Sequence, residues 1–199
     1  MSVEASSPLY RGRFAVLIGL VLVAAATRLV PHPPNVTPVA AMALFGGATF
    51  VDRRAALAIP LGAMLLSDIG LAFVRYDPSL VFTPMLLVIY GSFAMIVGLG
   101  FILRGRRRPL RVALVMLTAS VLFFVVTNLG VWALGGLYPR TAAGLGACFV
   151  AAIPFFRNTL AGDAVSAFVL FGALAIVERG FPRLADPIAR GARREAVRA

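Results

Sequence analysis

Six apolar runs, joined by polar links whose basic residues are all arginine, decide what this chain can become. The runs cover residues 14–30, 39–51, 55–74, 81–103, 112–134 and 159–177. Five of them approach or exceed the roughly 20 residues that cross a bilayer as helix. The second is shorter, and makes only about 18 Å of helix. Of the 199 residues, 60% are hydrophobic and 14% charged, whereas soluble domains lie near about half and about a quarter. So much apolar surface leaves too little polar surface to coat a soluble core. The expected fold is all-α, a polytopic membrane helix bundle with six transmembrane helices. It divides into a leader at 1–13, a membrane domain at 14–178 and a basic, poorly ordered tail at 179–199. Ala24-Ala25-Ala26 also offers a signal-peptide cleavage site, but the first run continues beyond it to Val30, which favours a span.

The links carry their own local chemistry. Four prolines between residues 31 and 38 forbid helix there. Thr37 is placed to cap the helix that begins at Pro38. Between runs five and six, residues 135–158 hold a further apolar stretch, Ala142 to Ile153. That stretch is expected as a short re-entrant or lid helix at the outer face, with span six starting afresh at Thr159 and capped by Asn158.

Arginine placement sets the orientation. If all six runs cross, the segments around Arg11 and Arg13, around Arg53 and Arg54, 104–111, and beyond Glu178 share one side and hold fifteen of the 19 basic residues. Arg28, Arg75, Arg140 and Arg157 lie on the other. The excess belongs in the cytoplasm, so both termini are expected there, and the net charge of +11 is assigned to membrane orientation rather than nucleic acid. The same count requires the short second run to cross, tilted or in thinned bilayer, and keeps 142–153 from crossing.

Composition excludes several chemistries. The chain has no lysine, so it carries no Walker A loop of its own and no Schiff-base lysine. With one histidine (His32) and one cysteine (Cys148), paired-histidine haem, HExxH zinc sites and disulfides are excluded. No serine-nucleophile motif lies in an apolar run. The expectation is a non-enzyme without metal or cofactor.

Polar residues inside the runs cost insertion energy and need a reason. At 1.5 Å per residue, Asp68 lies roughly 20 Å, Arg28 roughly 21 Å and Asn128 roughly 24 Å above the inner face, and Asp163 roughly 6 Å below the outer start of span six. These levels predict an outward-facing pocket lined by Asp68, Asn128 and Asp163. Asn158 and Arg28 border it, and His32, Trp132 and Tyr138 lie in or near its roof. The competing reading pairs the two aspartates with Arg28 and Arg157 and makes the cluster a packing device. Ala15-xxx-Gly19 and Ala94-xxx-Gly98 permit close helix contacts.

RLVPHPPNVTPVAAMALFGGATF, LLSDIG, TNLGVWALGGLYPRT and PFFRNTLAGD together resemble a family of small bacterial inner-membrane transport proteins of uncharacterised function, over residues 28 to 178. Its architecture is similar to the S components of energy-coupling-factor (ECF) vitamin transporters. The resemblance implies six helices, cytoplasmic termini and a ligand site near the outer face. The expected function is import of a small vitamin- or cofactor-like solute. Its partners are that solute, the bilayer and an energising ATPase module, or else the solute gradient supplies the energy. The alternative is a non-transporting scaffold or assembly subunit.

Overall fold

The computed structural model describes residues 8–31, 33, 35–75 and 83–188. His32 and the link 76–82 lie outside the described residues. The described chain is helical throughout: α1 (Pro8–Thr27), α2 (Val39–Thr49), α3 (Arg53–Arg75), α4 (Met85–Gly100), α5 (Pro109–Leu134) and α6 (Ala142–Gly180). A 3-10 turn at Phe101–Leu103 extends α4, and another at Pro182–Leu184 follows α6. Five helices, all but α2, are long and apolar enough to cross a membrane. Their outward faces are apolar as well; Phe168 on α6 is 81% exposed. A surface of that kind is stable only against lipid or another apolar phase.

α2 departs most from the expectation of six equivalent spans. All eleven of its residues are buried, and it packs against each of the other five helices. It is the core of the bundle. Leu17 and Val21 of α1, Met64 of α3, Ile96 of α4, Ala119 of α5 and Leu170 of α6 share one apolar cluster with it. A helix wrapped by protein meets no lipid, so its shortness needs neither tilt nor thinned bilayer. Close approach is what makes the wrapping possible: a Cβ on Gly47 would lie 2.0 Å from the Val97 carbonyl oxygen, and one on Gly100 would lie 2.4 Å from that of Leu44. α2 and α4 therefore cross at backbone contact. The pairs noticed in sequence do not make this contact, since a Cβ on Gly19 or Gly98 would meet nothing within 4 Å.

α6 corrects a second expectation. Residues 142–153 are not a separate lid helix; one helix runs from Ala142 to Gly180, with Pro154 inside it. Proline removes a single backbone bond, and in an apolar setting leaving the helix would strand several more. Its N-cap is Thr141, whose Oγ1 accepts from the Gly144 amide at 3.1 Å. Asn158 lies mid-helix rather than at a helix start. The start of the basic tail also folds: Leu184 lies against Gly12 of α1 and Asp186 is 3% exposed.

One largely buried ionic network joins α1, the α4–α5 link and the end of α6. Arg13 of α1 meets Glu178 of α6 at 2.7 Å, and Arg107 meets the same carboxylate at 2.9 Å. Arg13 also donates to the Leu184 carbonyl at 2.5 Å, while Arg107 approaches Asp186 at 3.2 Å as an ionic contact rather than a directed hydrogen bond. The start of α1, the α4–α5 link, the end of α6 and the tail thus share one end of the bundle. It is the end at which the arginines concentrate.

Candidate functional site

The polar residues of the helices resolve into separate groups. In the first, Arg28, one residue beyond α1, forms an ion pair with Asp68 of α3 at 2.6 Å, each side chain 12% exposed. Arg28 also donates to Ser67 Oγ and to the Met64 carbonyl, the latter at 3.3 Å. The Tyr90 hydroxyl of α4 donates to the second Asp68 oxygen at 2.8 Å. Both charges are partnered, and three elements are tied at one level. Sequence spacing pointed to Arg28 and Asp68 as partners; Ser67 and Tyr90 gave no such signal, because a tyrosine in an apolar run reads as packing.

The second group surrounds α2. Its C-terminal carbonyls would be orphaned in the bundle, and Arg104 meets them: Nε donates to Gly47 O at 2.9 Å, Nη2 to Phe50 O at 2.8 Å and Nη1 to Val51 O at 3.3 Å. The guanidinium also lies over the Phe101 ring, 4.2 Å from its centre. Burial, and next the neighbouring Arg53, lower the Arg104 pKa from its ordinary value. In sequence this arginine is one of a basic block, and nothing there separates a helix cap from a topology signal.

At the other end of α2, Pro38 occupies the cap position and provides no side-chain cap. The expected Thr37 cap is absent. α6 passes close beside this start, a Cβ on Gly162 lying 3.0 Å from the Thr37 nitrogen and from Val36 Cα. The next residue, Asp163, is 2% exposed and accepts from Ser120 Oγ of α5 at 2.6 Å. Ser120 has one proton and a second acceptor, the Met116 carbonyl at 3.1 Å. No cation pairs with Asp163 among the described residues; Arg157 is exposed. Counting from Glu178, Asp163 stands roughly 22 Å from the arginine-rich end, in the interior of a continuous helix. It is not near a helix start, as sequence had placed it.

The remaining candidates do other work. Asn128 Nδ2 donates to the Phe124 carbonyl of its own helix at 2.7 Å, and Cys148 Sγ lies 3.5 Å from the Asn128 carbonyl. Asn128 therefore faces the upper part of α6, away from Asp163. The Trp132 indole donates to the Pro139 carbonyl at 2.9 Å and so braces the α5–α6 turn, on which Tyr138 is half-buried. The structure pairs Arg28 with Asp68, whereas Asn128 bonds to Phe124 of its own helix and Asp163 to Ser120. Among the described residues, no three histidine, cysteine, aspartate or glutamate side chains are grouped to hold a metal ion.

A family model described as a family of unknown function (DUF6580) matches residues 9–184. The chain belongs to that family. The match runs from the first turn of α1 through the 3-10 turn after α6, so the family unit includes the folded start of the tail as well as all six helices. No curated protein and no solved structure matches the chain significantly.

Proposed function

We propose that this is a membrane transport protein that binds a small polar solute, vitamin- or cofactor-like in size, for import into a bacterial cell across its inner membrane. The observation that carries the reading is the junction of Asp163, Ser120 and the start of α2. A buried carboxylate with no cation partner among the described residues stands beside a half-length helix whose positive end lies buried inside the bundle. Such broken or short helices, ending at the membrane interior, are a recurring way to build a solute site in transporters. α2's dipole has a cation at its negative end, Arg104, and an acid near its positive end. A solute with adjacent donor and acceptor groups would offer the donor to Asp163 and the acceptor to the α2 amides. Arginine asymmetry supports reading both termini as cytoplasmic and the 28–38 connection as outside. Entry is then from outside, past that connection.

The six-helix arrangement and the quoted motifs support an S-component-like role, with energy from a separate ATPase module or the solute gradient. The scaffold reading draws on the Arg28–Asp68 group, whose charges are paired internally. The test is mass spectrometry of small molecules retained by the purified protein, compared with Asp163→Ala and Ser120→Ala. Loss of a retained molecule from both variants, at unchanged monodispersity, supports transport. An identical small-molecule content, or none in wild type and no stabilisation by a solute library, favours the scaffold.

A further inference from the structure

We propose that the α4–α5 link and the first turns of α5 form a binding site for one anionic diacyl phospholipid of the leaflet at the arginine-rich end. A concavity of about 940 Å³ lies here, lined by residues 105–111 and Leu114. Its arginines divide by direction. Arg104 turns inward to the α2 carbonyls and Arg107 to Glu178 and Asp186. Arg106, Arg108 and Arg111 line the groove and have no carboxylate partner among the described residues. Gly105, at φ +66°, makes the left-handed turn between Arg104 and Arg106. α5 begins on the same groove with Arg108 at its cap position, no side-chain cap and no acid in its first turn. Unpaired guanidinium groups and open first-turn amides together favour a phosphate.

What makes the occupant a lipid is the surface that leads away from the groove. Leu110, Leu114, Leu117 and Val121 are 73%, 56%, 50% and 43% exposed, and their spacing keeps them on one stripe of α5. With Val125 at 39%, the stripe rises roughly 22 Å from the cationic groove, enough to lie along an acyl chain. A soluble phosphate would use the groove and leave the stripe bare; a neutral lipid would use the stripe and leave three charges uncompensated. An anionic phospholipid uses both, as basic sites beside transmembrane helices do.

The experiment is native mass spectrometry and thermal unfolding of the full chain, with phosphatidylglycerol, phosphatidylcholine or glycerol phosphate added to delipidated protein in neutral detergent. Wild type is expected to bind and be stabilised by phosphatidylglycerol alone. Each of Arg106→Gln, Arg108→Gln and Arg111→Gln should weaken binding about fivefold, and the triple variant about a hundredfold. The tail variant Arg190→Gln/Arg193→Gln/Arg194→Gln loses the same charge and should bind as wild type. If the tail variant loses as much affinity as the groove variant, bulk charge explains the binding and the site is refuted. Equal stabilisation by phosphatidylcholine, or by glycerol phosphate, refutes it too. Should the triple variant not fold, the single Arg108→Gln variant decides: a change under twofold overturns the proposal.

Discussion

Replacing Arg28 and Asp68, singly and together, measures how a charge pair inside the bundle is compensated. Breaking a buried pair by removing one partner costs about 3–5 kcal/mol, because the other charge is left unpaired. Here each side chain is 12% exposed and keeps other partners, which places both single variants near about 3 kcal/mol. Asp68→Asn leaves Arg28 with Ser67 and Met64; Arg28→Gln leaves Asp68 with the Tyr90 hydroxyl alone. The double variant holds two neutral amides and should cost about 3–4 kcal/mol, giving a coupling of about 2–3 kcal/mol. Tyr90→Phe extends the cycle. It should cost about 1 kcal/mol in wild type and more in Arg28→Gln, where Tyr90 is the last donor to the carboxylate. Reversible unfolding by titrated dodecyl sulfate in mixed micelles gives each free energy. Additive single effects, within about 0.5 kcal/mol, would show that the pair is not coupled and would refute the reasoning.

Three further predictions follow from the same contacts. Gly47→Ala and Gly100→Ala should each destabilise by about 1–3 kcal/mol or more, since the new methyl meets a carbonyl oxygen at 2.0 or 2.4 Å, whereas Gly19→Ala should be tolerated; midpoints of thermal unfolding in detergent check this. Arg104→Gln uncovers the buried carbonyls at the α2 C-terminus and should cost about 2–3 kcal/mol, while Arg106→Gln beside it should cost under about 0.5 kcal/mol; equal losses would contradict the capping role. For topology, a cysteine introduced at Arg140 should react with an impermeant maleimide in intact cells and one at Arg106 only after lysis, and the reverse pattern would invert every inside–outside assignment.

Part of the site was illegible in sequence for one physical reason: span six was taken to begin at Thr159, whereas the helix begins at Ala142. Splitting 142–180 at the polar residues 157–159 put Asp163 at a helix start and made Asn158 a cap. The continuous helix keeps Asp163 at the same height but sets it mid-helix rather than in a first turn, beside Ser120 and the α2 start, and leaves Asn128 with Cys148. A proline in a long apolar segment reads as a break in water, but here helix continuation satisfies more backbone groups than a break would. The Arg28–Asp68 pair was legible because both residues are the lone charges of their segments at one level, and opposite charges buried together must meet.

Composition and arginine placement alone determined that the chain is a helical bundle with apolar outer faces, and which links gather at one end. Those properties depend on transfer free energies, which add along the sequence. Tertiary structure alone decided that α2 is the core rather than one span among six, that Arg104 closes one end of its dipole, and that Gly162 and Asp163 of α6 lie beside the other. An apolar helix has the same composition whether lipid or protein surrounds it. Only the backbone contact of Gly47 with Val97 and of Gly100 with Leu44 tells the two apart, because it specifies which neighbour comes close enough to exclude the lipid.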